Sequence, residues 1–293
     1  MSTRSQGGLS LVELILVVLL LGLVGSSAIA IVTTALRSFQ SQAARAQIQA
    51  TLRTAVTVVG SELRELGAGS PGDLAEIGLH TITYRAKRST AFLCRKPDAL
   101  VPEITAWGDP VYGLRPLEAG RDSILVFAEN DPRDSDDNAW HSAMVVAVIS
   151  GRFCPGPARG ILVRLAGLAP GSLSGVERGA PVRGFQASRL VLYRDSRRSW
   201  WLGHSEYRAQ NGWSITQPVL GPLSSGGFRL EYLDWSGEPA TEPRFVRVIG
   251  MTVVAQSSGR VASVLGLEPM RDSLTTYVAL RNGLPVEPGS DSP

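Results

Sequence analysis

Lysine is almost missing from this chain. Lys87 and Lys96 are the only two, so arginine carries nearly all of the positive charge, and the formal net charge is only +3. A nucleic-acid footprint needs its positive charge clustered on one face. The arginine excess reads instead as a codon bias, although a pI near 9.1 allows weak contact with DNA or another anionic surface. Nucleic acid is thus permitted as a partner and not indicated. Cysteine is scarce as well. Cys94 and Cys154 are the only two, and their separation excludes a CxxC-type metal or redox site. In an oxidising compartment they can bridge and add a few kcal/mol of stability; two separately buried thiols are the alternative. The three histidines, His80, His141 and His204, are scattered, which gives no metal triad by spacing. Proline is absent before Pro71, so nothing of that kind breaks a long N-terminal helix. There is no internal repeat.

A long apolar run is present. Residues Leu14 to Val32 are apolar apart from Gly22, Gly25, Ser26 and Ser27, about the length a helix needs to cross the hydrocarbon core of a bilayer. Glu13 stands at its start. A carboxylate there costs a few kcal/mol on insertion scales, so it counts as a functional residue whose partner should be named. The segment before it, Met1 to Gly8, has Arg4 as its only charged side chain and no apolar stretch, which excludes an ordinary secretory signal peptide. Any cut here falls on the cytoplasmic side. Arg4 is opposed by Arg37 and Arg45 beyond the span, so charge counting leaves the orientation open.

From Thr33 the helical pattern continues but becomes amphipathic. Ile48, Leu52, Ala55, Val56, Val59, Leu63 and Leu66 form one stripe, with Arg45, Gln49, Arg53 and Glu62 mostly away from it. The Gly67 to Gly72 run, containing Pro71, ends the helix. A helix from Leu9 to Leu66 would be about 87 Å long at 1.5 Å per residue, bending at Gly22 and Gly25 without a fixed kink. Beyond it the chain reads as strands: His80–Ala86, Ala91–Arg95, Ser123–Ala128, Ala143–Ser150, Ile161–Leu165, a hairpin of Leu190–Arg194 and Ser199–Gly203, then Phe228–Leu233, Phe245–Ala255 and Leu274–Leu280. One long helix on an antiparallel β-rich domain makes the fold class α+β.

The run Gly8-Leu9-Ser10-Leu11-Val12-Glu13 and the apolar helix after it resemble the type IV prepilin and pseudopilin class. The resemblance implies cleavage by a membrane-embedded prepilin peptidase after Gly8, with Leu9 as the new, N-methylated terminus. Glu13 would neutralise the α-amino group of a neighbouring subunit. Most of the class have Phe or Met where this chain has Leu9. Two charges of opposite sign in low dielectric each need the other, so their pairing selects axial register as well as docking. The ending is similar to that of J-type minor pseudopilins of type II secretion and of PilW-like minor pilins, through Gly226–Gly237, Val246–Ile249 and Tyr277–Asn282. The implied domains are a leader, 1–8; a helix, 9–66, transmembrane over about 9–32; an exported globular domain, 67–285; and a disordered tail, 286–293. The implied function is that of a non-enzymatic structural subunit, initiating or capping a type IV pilus-like or type II secretion filament. Its partners would be the peptidase, other pilin or pseudopilin subunits and an inner-membrane assembly platform. It would sit in the cytoplasmic membrane by a single pass, with its C-terminal domain in the periplasm or outside the cell. The alternative is a membrane-anchored exported binding domain, for adhesion or DNA uptake, or an enzyme with an uncleaved anchor.

Other motifs are weaker. Gly203-His204-Ser205-Glu206-Tyr207 lacks the second glycine of a nucleophile elbow. The acidic loop Glu129–Asn138 places Asp134, Asp136 and Asn138 at the alternate spacing of the first three ligands of a calcium loop. Ala139 and Val145 then occupy the glycine and bidentate-Glu positions, so a solvated turn competes with calcium. Tyr193–Trp201 interleaves cations and aromatics, a pattern shared by single-strand or sugar binding and by a charged turn between packed tryptophans.

Overall fold

The structure is a computed structural model that describes residues 11–69, 71–108, 112–131, 133–134, 137–156, 159–263 and 266–281. Gly8, Leu9, Asp136 and the 286–293 tail lie outside the described residues.

Helix α1 (Leu11–Thr54) passes into one π-helical turn, Ala55–Val59, and then into α2 (Gly60–Arg64). Gly22 and Gly25, expected to loosen the helix, sit in regular α-helix. The irregularity falls instead on Val56-Thr57-Val58-Val59, where four β-branched side chains in succession crowd the preceding turn. The end of the helix is tied to the chain just beyond the last strand by an isolated bridge: Arg281 N–H donates to Leu66 O at 2.8 Å, and Ala68 N–H to Arg281 O at 2.8 Å.

Among the described residues the strands are β1 (Leu74–Ile77), β2 (Thr81–Phe92), β3 (Glu103–Trp107), β4 (Tyr112–Gly113), β5 (Ser123–Ala128), β6 (Ala139–Gly151), β7 (Gly160–Ala166), β8 (Pro181–Arg194), β9 (Trp200–Arg208), β10 (Gly212–Trp213), β11 (Gln217–Leu233), β12 (Val248–Ser263) and β13 (Gly266–Ala279). The architecture is α+β, a long apolar N-terminal helix with an antiparallel sheet. The sheet runs β13-β12-β11-β9-β8-β5-β6-β7-β3, and β2 joins β8 and carries β1 and β4.

Strand β8 is the hub. Along one edge it pairs with β2 from Pro181 to Val191. Along the other, its first half pairs with β5 and its second half with β9, so two runs of strands diverge from it. The two short strands expected at 80–86 and 91–95 are replaced by the single strand β2, which runs through 87–90 and ends at Phe92. The polar Lys87-Arg88-Ser89-Thr90 hides this continuity, and a bulge between Lys87 and Ser89 absorbs the mismatch.

The chain divides into two units. One holds α1 up to Ala50 together with Gln256–Arg271. In it Ala44, Ile48 and Ser257 are buried, Gln47 Nε2 donates to Ser258 Oγ at 2.7 Å, and Met270 N–H donates to Ser257 Oγ at 2.9 Å. The other holds Thr51–Ala255 and the chain from Asp272. In this unit Leu52, Ala55, Val59, Leu63 and Leu66 are buried, whereas Val56, expected on the same stripe, is exposed. Glu62 reaches Arg88 of β2 at 3.6 Å, and Thr51 Oγ1 donates to Gly221 O of β11 at 3.4 Å. The apolar centre around β3, β5, β6, β7 and the start of β8 includes Ile104, Ile124, Val126, Val145, Val163 and Val182.

The loop before β5 is clamped by charge. Asp122 is 1% exposed and accepts from Arg115 Nη1 and Nη2 at 2.6 and 2.7 Å and from Glu118 N–H at 2.7 Å. Arg115 also donates to Gln186 Oε1 at 3.3 Å, and Gln186 Nε2 to Glu206 Oε2 at 3.0 Å. Arg121 closes the chain on Glu206 and Glu118, both at 2.9 Å.

Candidate functional site: the uncharged helix surface behind Glu13

Glu13 lies in the first turn of α1, where a carboxylate is favoured by the N-terminal end of the helix dipole. The next charged residue is Arg37. The 23 residues between them would span about 35 Å as a helix, slightly more than a typical hydrocarbon core. Their large apolar side chains are exposed throughout, from Leu14 at 56% to Leu36 at 56%. A helix this long and apolar meets the length and composition of a membrane span. A contiguous apolar surface of this extent needs lipid or protein over it.

The polar side chains within that surface are satisfied locally. Ser26 and Ser27 donate to Leu23 O and Val24 O at 2.9 and 2.8 Å, and Thr33 and Thr34 both donate to Ala30 O, at 3.0 and 2.8 Å. Each hydroxyl therefore turns its proton back onto the helix instead of presenting an unmet donor to the surroundings. Glu13 is the only charged side chain from Leu11 to Leu36.

Cys94 and Cys154, 60 residues apart in sequence, are joined in a disulfide with Cα atoms 5.5 Å apart. Gly160 makes room for it, since a Cβ there would lie 2.5 Å from Cys154 Sγ and 3.2 Å from Ala106 O. In the acidic loop, Asp131 N–H donates to Asp137 Oδ2 at 2.9 Å, Arg133 N–H to Asp131 Oδ1 at 3.0 Å, and Asp134 N–H to Asp131 O at 2.9 Å. Asn138 is exposed. Among the described residues no three His, Cys, Asp or Glu side chains gather as a metal site would require. Ser205 is buried inside β9, on an extended strand and not at a strand-to-helix turn. His80 Nδ1 lies 2.7 Å from Phe228 O, His141 sits in β6, and His204 sits in β9. In the 194–201 turn, Trp201 Nε1 donates to Asp195 Oδ2 at 3.1 Å and Arg194 lies over Trp200 at 5.8 Å. Both tryptophans are half-buried.

The clamp of Asp122, Arg115, Gln186, Glu206 and Arg121 had no local signal, because its members come from a loop and two strands that only the sheet brings together. No family model, no curated protein and no solved structure matches the chain.

Proposed function

We propose that this chain is a minor pilin or pseudopilin, a structural subunit that initiates or caps a type IV pilus-like or type II secretion filament. The observation that carries the reading is one carboxylate, Glu13, at the head of an uncharged, exposed helix surface, five residues after Gly8. A membrane anchor needs the apolar surface and has no use for the carboxylate at this place; a subunit that must dock end to end has use for both. Prepilin peptidase cuts between Gly8 and Leu9, and Leu9 becomes the methylated terminus. The Leu9 amine of one subunit then meets Glu13 of the next inside the filament, where either charge alone would cost several kcal/mol.

In this reading the helix has two tasks. Its first half is the transmembrane anchor and later the filament core. Its second half is amphipathic and fixes the exported domain to it, in keeping with the burial of Leu52, Ala55, Val59, Leu63 and Leu66 and the exposure of Arg53 and Glu65. The protein sits in the cytoplasmic membrane by one pass, takes other pilin or pseudopilin subunits and the assembly platform as partners, and performs no catalysis. A disulfide between Cys94 and Cys154 suits an exported, oxidising location.

Replacing Glu13 by Val separates assembly from insertion. The Glu13→Val protein inserts as well as the parent, since a charge leaves the span, and it fails to co-purify with sheared filaments. Normal incorporation of Glu13→Val would overturn the charge-pairing account. Gly8 replaced by a bulky residue gives the opposite pattern, an inserted but uncut precursor.

A further inference from the structure

A cavity of about 300 Å³ opens where the end of the helix meets the sheet, walled by Lys87, Arg183, Asp73, Glu65 and Arg281 over a floor that includes Phe185. Pairing across three strands builds it. Lys87 of β2 stands opposite Phe185 of β8, and Arg183, two residues earlier on β8 and so on the same face, stands opposite Leu125 of β5. Arg85, two residues before Lys87, shares that face.

The cations here are held by neutral partners. Arg183 lies over the Trp140 ring at 4.5 Å. Arg85 lies over Phe185 at 5.5 Å and donates from Nη1 to Gly72 O at 2.6 Å. Lys87 is exposed. None of the three makes an ion pair among the described residues, whereas Arg281 and Glu65 at the rim neutralise each other at 3.0 Å. The remaining carboxylate, Asp73, is committed to the Gly67 N–H at 2.6 Å. Burial raises its pKa, while the Gly67 N–H and then the charges of Arg183, Arg85 and Lys87 act against the rise. An aromatic partner fixes a guanidinium plane without cancelling its charge, so outside the rim pair two lining cations, Lys87 and Arg183, face one lining carboxylate and the excess is left for a ligand.

We infer that this cavity is a binding site for a small oxyanion, a carboxylate- or phosphate-bearing solute gripped by Lys87 and Arg183. Its volume is at the lower end of that of small-molecule pockets. The site is separate from the helix surface assigned to assembly, so the two stand or fall independently.

The test is calorimetric titration of the full chain in detergent with inorganic phosphate and, separately, with succinate, against chloride at matched ionic strength. Saturable binding of either anion is the expected result, and the anion that binds identifies the group. Lys87→Met and Arg183→Gln should each weaken it about tenfold or more, the scale of one charge-assisted hydrogen bond. Asp73→Asn, which removes a repelling charge and keeps an acceptor for Gly67 N–H, should strengthen it. Lys87 is exposed, so Lys87→Met decides the matter even where the Arg183 variant folds poorly. A response no larger than that to chloride, or equal affinity in Lys87→Met, would overturn the assignment.

Discussion

Arg115 and Asp122 face each other as a bidentate pair, at 2.6 and 2.7 Å, with the aspartate sealed from solvent. Removing Asp122 leaves the mostly buried Arg115 guanidinium with only Glu118, at 3.5 Å, to answer its charge, which costs more than the pair is worth. Asp122→Ala also strips the acceptor from Glu118 N–H. The expected loss is about 3–5 kcal/mol of unfolding free energy, read by denaturant titration of the detergent-extracted chain. A loss under about 1 kcal/mol, the range of exposed pairs, would show that the clamp does not hold the loop.

The disulfide should leave no thiol open to alkylation under denaturing, non-reducing conditions. Reduction, or replacement of both cysteines by serine, is expected to lower stability by about 2–4 kcal/mol without affecting membrane insertion. Gly160→Ala should destabilise as well, because its methyl group would press on Cys154 Sγ. Labelling of both Cys94 and Cys154 in the unreduced protein would contradict the bridge.

Along the end of the helix, burial sets the cost of truncation. Leu63→Ala removes a fully buried side chain and is expected to cost about 2–5 kcal/mol. Val56→Ala, at a position 37% exposed, should cost under about 1 kcal/mol. Equal effects at the two positions would mean that the stripe does not pack as described.

His204 gives a pH signature. Burial holds its pKa below the ordinary histidine range, outweighing Glu206 and Glu62, which act to raise it; Arg88 acts with burial. The unfolded chain therefore binds the proton more readily than the folded one. The neutral imidazole's contribution is fully present above about pH 6.5 and is lost as pH falls through the depressed folded value. The melting temperature should drop over that acid window, and His204→Gln should reduce the drop. Identical pH profiles for the two proteins would contradict the assignment.

Sequence pattern disclosed the elements that carry their own signal. The uncharged run from Leu14 to Leu36 needs no partner to be read as a membrane-length helix, and β5 shows as Ile124-Leu125-Val126-Phe127 between turn residues. Strands β8 and β11 were legible only in their second halves. Their first halves, Pro181-Val-Arg-Gly-Phe-Gln and Gln217-Pro-Val-Leu-Gly-Pro, hold proline and glycine that argue against strand locally, and cross-strand pairing overrides them. The oxyanion cavity was illegible for a related reason. Lys87 and Arg183 are distant in sequence, and only the register between β2 and β8 places them on one face.

Intact-mass measurement of the membrane-extracted protein bears most directly on the central reading. A mass corresponding to a chain that begins at Leu9, with or without one added methyl group, is the expected result. A mass that retains Met1 to Gly8 in protein recovered from cells with an active prepilin peptidase would contradict it.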